Sequence, residues 1–271
     1  MRVEDLLIYG KGYCHSDHVK FLLADLLNLN PLELLNHLND YVNEENIELF
    51  KKEINSLANG KPLQYVIGNV NFYGNKFIIN ENVLIPRFET EELVSRTIKY
   101  INKYFNKKVD ILDIGTGSGS IAITLKDKVL SNVDAVDISS DALVVAKENA
   151  KKYNLDINFY VSDVFSNVNR KFDVIISNPP YIDPDDKIED IVYNNEPHIA
   201  LFAKDKGLYF YKEIISKSNK YLNDKFIMAF EIGYNEGKDI LDLCKKYYPN
   251  SYILLEKDLY NKDRYIFIIN V

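Results

Sequence analysis

The sequence predicts an α/β protein: a seven-stranded, mostly parallel sheet with helices on both faces, preceded by a small helical bundle. Two patterns support this class. Up to about residue 60, apolar residues recur three and four positions apart, whereas from Glu89 onward helical segments alternate with short apolar runs of strand length. Such an alternating series places parallel strands side by side and covers both faces of the sheet with helices.

The first part of the chain, residues 1–62, is expected to form a domain of four helices. Ser16 and Asn43 stand where helix N-caps belong, and Asn30-Pro31 puts proline at a first helical position. Asn59-Gly60 is typical of a helix end. The helical pattern therefore stops close to residue 60.

A linker with a β-hairpin is predicted over residues 63–85. Two short strands, near 70–73 and 76–80, flank Gly74-Asn75, which is typical of a two-residue hairpin turn. The hairpin would join the helical domain to the rest of the chain.

The third part, residues 86–271, is predicted to form the α/β domain. Its expected strands are 109–113, 133–137, 157–161, 173–177, 226–231, 251–255 and 264–269. Its expected helices are 90–104, 120–128, 140–153, 208–221 and 237–247. Because no helix separates the last two strands, an antiparallel hairpin is expected at one edge of the sheet.

Composition narrows the class of protein further. The 271 residues carry 33 Lys+Arg against 40 Asp+Glu, a net charge of −7, which disfavours general affinity for nucleic acid. No run of 18 apolar residues occurs, and the chain opens with charged residues, so we expect a cytoplasmic protein without a signal peptide. Cys14 and Cys244 are the only cysteines, and neither a disulfide nor a metal site is expected.

A glycine-rich turn follows the first strand of the α/β domain. It reads Asp113, Ile114, Gly115, Thr116, Gly117, Ser118, Gly119. Glycine at a strand-to-helix turn lets a ligand approach the backbone at the carboxyl end of the sheet. The G-x-G-x-G spacing differs from that of dinucleotide sites, and no Gly-Lys-Ser/Thr ending for a triphosphate is present.

Two further carboxylates are predicted at strand ends of the same sheet. Asp137 ends the second strand, 22 residues after Gly115, where it would accept hydrogen bonds from ribose hydroxyls, and Asp163 ends the third, where it would receive an adenine amino group. Together with Asp113 they suit a cationic nucleoside without phosphates, so S-adenosylmethionine is the expected ligand. In the alternative interpretation the glycines only form a tight turn and the Asp residues only cap helices.

The second candidate motif follows the buried run at 173–177. It consists of Asn178, Pro179, Pro180 and Tyr181. Two prolines stiffen the turn and leave the Asn178 side-chain oxygen and the Pro179 carbonyl as acceptors. Both oxygens can accept from one amide NH2 and turn its lone pair toward an electrophile, while Tyr181 would offer a flat surface to a planar acceptor. The alternative is an ordinary Pro-rich turn with an Asn cap.

On these residues the chain resembles the N5-glutamine methyltransferases of peptide-chain release factors, the HemK/PrmC family. The resemblance runs over nearly the whole chain and includes the segments Gln64-Tyr65-Val66-Ile67-Gly68, Phe72-Tyr73-Gly74, Leu84-Ile85-Pro86-Arg87-Phe88-Glu89-Thr90-Glu91, Glu196-Pro197 with Ala200-Leu201, and Glu231-Ile232-Gly233. It implies a Rossmann-like sheet of the class I methyltransferase type. It also implies that the N-terminal helical domain grips a class 1 release factor.

The resemblance also implies roles for individual residues. Contacts to S-adenosylmethionine would come from Asp113, Gly115, Thr116, Gly117, Ser118, Gly119, Asp137, Ile138, Asp163, Val164, Phe165 and Asn178. Asn178, Pro179, Pro180 and Tyr181 would hold the glutamine of a Gly-Gly-Gln loop, with Arg87 and Glu89 as a charged pair near the site entrance. Without the resemblance, Arg87 and Glu89 are equally well explained as a surface ion pair.

The chain departs from the family pattern at two positions. Phe88 replaces the usual proline between Arg87 and Glu89. Val164 stands where many relatives have an aromatic residue against adenine, so either Phe165 substitutes for it or one contact is missing. Weaker cofactor binding, rather than a changed reaction, is expected.

The leading hypothesis is methyl transfer from S-adenosylmethionine to the N5 amide nitrogen of the glutamine in class 1 release factors. We expect a monomer that contacts neither nucleic acid nor membrane directly. Two alternatives stay open: an adenine-amine methyltransferase of DNA or RNA, which would need a basic groove for a flipped base, and a non-catalytic module that binds release factors or ribosomes. The acidic segment 183–190 is either a solvated loop or a lid over the acceptor.

Overall fold

The computed structural model describes all residues, 1–271, and divides into two compact units. The first unit is Met1–Asn69 with Ile188–Asn195, and the second is Val70–Lys187 with Glu196–Val271. The boundary between the two units follows Asn69, within the stretch 63–85 that was predicted as a linker. None of the helices has both the length and the apolar character that crossing a membrane requires.

The first unit is helical. Its helices are α1 (Val3–Lys11), α2 (Ser16–Leu26), α3 (Glu44–Ala58), α4 (Leu63–Ile67) and α8 (Asp190–Asn195), with a 3-10 turn at Glu33–His37. Leu6, Leu23 and Phe50 are completely buried at the centre of its core. The predicted spacing of apolar residues is thus confirmed, since one face of each longer helix supplies this core.

Two details of the predicted helices differ and one is confirmed. Residues 31–38 form only the 3-10 turn, because Asn30 Oδ1 accepts from the N–H groups of Leu32 and Glu33 and the segment closes on itself. Ser16 is the first helical residue rather than the cap, since His15 Nδ1 accepts from Asp17 N. Asn43 is confirmed as a cap, with Oδ1 2.7 Å from Asn46 N.

The predicted hairpin is present with a different turn. Its strands are β1 (Asn69–Phe72) and β2 (Asn75–Ile78). The turn residues are Tyr73 and Gly74, with φ of 50° and 79°, rather than Gly74 and Asn75. A two-residue hairpin turn of this type needs positive φ at both central positions, which places Asn75 in the second strand.

The second unit contains a seven-stranded sheet in the order β5-β4-β3-β6-β7-β9-β8. The strands are β3 (Val109–Ile114), β4 (Ser131–Asp137), β5 (Asn158–Val161), β6 (Phe172–Ser177), β7 (Leu222–Glu231), β8 (Tyr252–Lys257) and β9 (Asp263–Asn270). The first five are parallel, and β9 runs antiparallel to both β7 and β8. The predicted class and the antiparallel edge hairpin are confirmed.

The remaining helices cover the two faces of this sheet. They are α5 (Phe88–Tyr104), α6 (Ser120–Lys128), α7 (Ser140–Lys152), α9 (Tyr209–Lys217) and α10 (Gly237–Tyr247). Helix α5 begins two residues before the predicted start, and the predicted helix 208–221 ends at Lys217, followed by a 3-10 turn at Ser218–Lys220. Helix α8 and the 3-10 turn His198–Ala200 were not predicted, because such short elements show no apolar periodicity.

The alternation of side chains along β6 and β7 sets the geometry of the site. Val174, Ile176, Ile227 and Ala229 pack in the core under α5 and α6, whereas Ile175, Met228 and Phe230 pack in the core under α9 and α10. Because strand side chains alternate with a period of two, the next positions on the α5 side are Asn178 and Glu231.

Candidate active site

A cavity of about 240 Å³ opens at the carboxyl ends of β3, β4 and β6, within the second unit. Nine residues predicted from the sequence line it: Gly115, Gly117, Asp137, Ile138, Asp163, Val164, Asn178, Pro179 and Pro180. The structure thus brings the glycine-rich turn and the diproline motif to one cavity. Parallel strands meet at one edge of the sheet, which is where ligands of such folds bind.

The glycines of the turn have two different structural roles. Gly115 and Gly117 have φ of 73° and 53°, and a Cβ built on either would meet no atom within 4 Å, so their backbone is open to the cavity. A Cβ on Gly119 would instead lie 3.2 Å from Ala146 Cβ. Gly119 therefore serves the packing of α6 against α7, and only the first two glycines can lie against a ligand.

Asp137 is held in place by backbone donors. Its Oδ2 accepts from Gly117 N and its Oδ1 from Ser139 N, both at 2.9 Å. Burial raises the pKa of the carboxyl, and these N–H donors partly offset that rise. The carboxylate, which lines the cavity, keeps lone pairs for further donors such as a pair of hydroxyls.

Asp113 does not belong to the cavity lining, although it was predicted to act together with Asp137 and Asp163. Strand β3 continues through Ile114, so the Asp113 side chain lies beneath the turn, completely buried. Its Oδ2 accepts from Thr116 Oγ1 at 2.7 Å, while Oδ1 has no hydrogen-bond partner. Burial raises the pKa of this carboxyl to about 7. Its local role is to fix the turn.

Three predicted cofactor residues, Asp163, Val164 and Phe165, follow β5, and only the first two line the cavity. Asp163 is exposed and lines the cavity, as does Val164, which has a φ of 50°. Phe165 is buried and stacks on Tyr221, with ring centroids 4.3 Å apart, so it does not replace the missing aromatic residue at Val164. Positive φ is a strained conformation for a β-branched residue and is typical of functional segments.

Asn178 is anchored by a chain of buried polar side chains. Its Nδ2 donates to Thr90 Oγ1 at 3.0 Å, and the Thr90 hydroxyl donates to Glu231 Oε2 at 2.7 Å. Asn178 Oδ1 has no hydrogen-bond partner within the protein and belongs to a residue that lines the cavity. Thr90 and Glu231 received no role from the sequence, although both lie in segments that carry the resemblance. For Glu231 the signal is a polar residue where the alternation along β7 demands an apolar one, and Thr90, on a helix, offers none.

Tyr181 does not line the cavity. Its side chain is half-buried and packs against the core under α9 and α10. Burial raises the pKa of Tyr181, and the neighbouring Glu231 carboxylate raises it further. The expected flat surface for an acceptor is therefore not part of this cavity lining.

Arg87 and Glu89 do not form the predicted pair and do not line the cavity. Arg87 Nη2 instead donates to Glu196 Oε1 at 2.5 Å, and Glu196 Oε2 accepts from Ile85 N at 3.1 Å. Arg87 is the extended N-cap of α5 and Glu89 lies in the first helical turn, which separates the two side chains. Glu196, with only 4% exposure, is a partner that the sequence could not indicate.

Two other predicted cofactor residues, Thr116 and Ser118, are buried in the turn and do not line the cavity. Several lining residues were not predicted: Asn82, Val83, Leu84, Pro197, Ile199, Ala200, Tyr209, Phe210 and Ile214. Leu84, Pro197 and Ala200 lie in segments that carry the resemblance, whereas α9 offered no signal beyond its apolar periodicity. The acidic segment 183–190 contributes no residue to the cavity lining.

Comparison with known proteins finds matches for both parts of this chain. Residues 74–197 match the family model described as "Methyltransferase small domain", and residues 16–68 match "PrmC N-terminal domain". The release factor glutamine methyltransferase of Bacillus cereus is 38% identical over 280 aligned residues, covering 98% of this chain and 99% of that protein. The enzyme of the same name from Streptococcus pneumoniae is also 38% identical, covering 98% and 94%.

Solved structures show the same fold at low identity. A methyltransferase from Pyrococcus furiosus superposes with a TM-score of 0.54 at 16% identity, covering 73% of this chain and 90% of that one. A 16S rRNA N2 G1207 methyltransferase from Thermus thermophilus superposes with a TM-score of 0.53 at 13% identity, covering 75% and 50%. Because the close relatives match over nearly their whole length, the chain belongs to the release factor glutamine methyltransferase family.

Proposed function

We propose that this protein transfers the methyl group of S-adenosylmethionine to the side-chain amide nitrogen, N5, of the glutamine in the Gly-Gly-Gln motif of class 1 peptide chain release factors. One observation carries the proposal: the anchored Asn178, with its free Oδ1, lines the same cavity as the open glycines and Asp137. An acceptor-orienting group and a nucleoside-binding edge are thus adjacent.

The residues present fit S-adenosylmethionine. Gly115 and Gly117 form a cradle that a Cβ would fill, and the fixed Asp137 carboxylate suits ribose hydroxyls. Ile138 is 50% exposed, and together with Val164 it provides aliphatic surface that an adenine ring would cover. When bound, the cofactor supplies a methyl group made electrophilic by a cationic sulfur.

Asn178 and Pro179 carry the chemistry on the protein side. A carboxamide nitrogen is a poor nucleophile because its lone pair is delocalised. The Asn178 Oδ1 and the Pro179 carbonyl would each accept one N–H of the substrate amide, at about 1 kcal/mol per bond. Holding the nitrogen in line with the methyl group lowers the barrier by several kcal/mol more. The protonated product amide then loses its proton to water.

The helical unit is proposed to dock the release factor, and Arg87 and Glu89 to lie near the entrance for the substrate loop. Arg87 retains 35% side-chain exposure beside Glu196, so its guanidinium is accessible to a partner. The proposal further includes action in the cytoplasm as a monomer, without direct contact to nucleic acid.

The experiment is methyl transfer from labelled S-adenosylmethionine to a recombinant class 1 release factor and to its variant with the motif glutamine replaced. Mass spectrometry of the product identifies the modified atom. Labelling of the wild-type factor alone, at N5, supports the proposal. Equal labelling of both factors, or labelling of DNA or RNA instead, would overturn it.

A further inference from the structure

The strongest feature beyond the cavity itself is the buried chain behind Asn178. Three elements supply it: Asn178 follows β6, Thr90 lies in the first turn of α5, and Glu231 ends β7. Thr90 is 4% and Glu231 1% exposed. Neither residue lines the cavity, so neither contacts a ligand there.

The direction of this hydrogen-bond chain depends on the Glu231 carboxyl. An ionised carboxylate is an acceptor only, so it takes the single hydroxyl proton of Thr90. Thr90 Oγ1 is then left as an acceptor, which selects the NH2 group of Asn178 and not its oxygen. The amide oxygen Oδ1 must consequently face away from Thr90.

A protonated Glu231 removes this selection. Its hydroxyl can donate to Thr90 Oγ1, which frees the Thr90 proton to turn toward Asn178. Thr90 then donates to Oδ1, and the Asn178 amide rotates by a half turn. The NH2 group of Asn178 would then face the NH2 group of the substrate amide. Both groups are donors, so no hydrogen bond forms between them.

We propose that Thr90 and the ionised carboxylate of Glu231 are positioning residues that keep the Asn178 oxygen directed at the substrate amide, and that Glu231 must be deprotonated for turnover. This inference rests on the proposed function, since it concerns the orientation of the acceptor glutamine. It assigns no contact with substrate or cofactor to either residue.

The environment of Glu231 places its titration in the working range. Burial raises the pKa of Glu231 to about 7, and the Thr90 hydrogen bond and Arg264 lower it in part. The titratable and charged groups around it are Arg264, Arg87, Glu89, Tyr181, Tyr211 and Tyr265. Turnover is therefore expected to fall as pH drops below about 7 and to level off where Glu231 is protonated.

The test is the pH profile of kcat and KM for the release factor, with the full chain and saturating S-adenosylmethionine, between pH 5.5 and pH 9. Glu231→Gln carries a neutral amide that donates and accepts at every pH. Its kcat should therefore show no acid limb, that is, no fall toward low pH, and should lie near the low-pH plateau of the wild type. Thr90→Val should behave in the same way, and Thr90→Ser, which restores the hydroxyl, should recover the wild-type profile.

Glu236→Gln is the matched control. Burial also raises the pKa of Glu236 to about 7, but its Oε2 accepts from Gly233 N and it makes no bond to Thr90 or Asn178. This variant should keep the acid limb. Titrations of the release factor or of the cofactor itself would persist in every variant, including Glu231→Gln.

Calorimetry with S-adenosylmethionine separates positioning from a general structural effect. The affinity should stay within about threefold of wild type in the Glu231 and Thr90 variants. An acid limb that persists in Glu231→Gln, or a Thr90→Ser profile as flat as that of Thr90→Val, would overturn the inference. If Glu231→Gln fails to fold, the Thr90 pair decides alone. A wild-type protein that labels no release factor glutamine would instead refute the proposed function.

Discussion

The ion pair between Arg87 and Glu196 leads to a prediction about stability. The Glu196 side chain is 2% exposed, and its carboxylate oxygens accept from the Arg87 guanidinium and from Ile85 N. Arg87→Met keeps a long apolar stem but removes the charge. The carboxylate is then left in the interior with a single backbone donor.

Removing one partner of a fully buried pair costs about 3–5 kcal/mol. Because the Arg87 side chain is 35% exposed, water can replace part of its contribution. We therefore expect Arg87→Met to lower the free energy of unfolding by about 2–3 kcal/mol. The double variant Arg87→Met/Glu196→Gln should regain at least half of that loss, since a neutral amide can still accept from Ile85 N.

Urea unfolding at pH 7.5, followed by circular dichroism, measures these differences as shifts in the midpoint at constant m. If Arg87→Met lies within about 0.5 kcal/mol of wild type, the pair is an ordinary surface ion pair and the reasoning is refuted. A double variant less stable than the single one would contradict it as well.

The same double variant tests the predicted contact between Arg87 and the substrate. It lacks the guanidinium but retains most of the stability, so folding no longer limits activity. A raised KM for the release factor at unchanged kcat supports a direct contact at the site entrance. Unchanged kinetic constants would restrict Arg87 to its structural pair with Glu196.

Further predictions concern Asn178, Gly207 and Asp113. Asn178→Ala should lower kcat by about 10²-fold while S-adenosylmethionine affinity, measured by calorimetry, changes little; unchanged turnover would remove Asn178 from the chemistry. Gly207→Ala would place a Cβ only 2.2 Å from the Tyr181 carbonyl oxygen, whereas a Cβ on Gly74 meets nothing within 4 Å. Both glycines have positive φ, so Gly207→Ala should lower the thermal unfolding midpoint more than Gly74→Ala does, and equal losses would show that backbone strain alone matters. Burial raises the pKa of Asp113 from 3.8 to about 7, so its ionisation opposes folding, and the stability present below pH 3.8 is lost as pH rises through 7. Between these two pH values the free energy of unfolding of Asp113→Asn should rise relative to wild type by about 1.4 kcal/mol per pH unit. Parallel curves of stability against pH for the two proteins would contradict this.

The sequence by itself determined the fold class and the edge of the sheet at which the candidate site lies. Apolar periodicity is local, so helices and strands could be predicted to within a few residues. The exceptions are the very short α4 and α8, which were missed, and residues 31–38, which form only a 3-10 turn. The glycine-rich turn and the diproline motif each follow a predicted parallel strand. Because parallel strands share one carboxyl edge, their meeting at one cavity needed no knowledge of the packing.

Only the tertiary structure decided which side chains pair across the fold. Thr90 contacts Glu231 from 141 positions away, and Arg87 contacts Glu196 across 109 positions. The Phe165 ring stacks on Tyr221, and the Asp113 side chain lies beneath the glycine-rich turn. Neither lines the cavity, although each is adjacent in sequence to a residue that does. Side-chain partners of this kind depend on how the helices pack on the sheet. That packing results from many contacts between residues distant in the chain, so it cannot be predicted from a local sequence pattern.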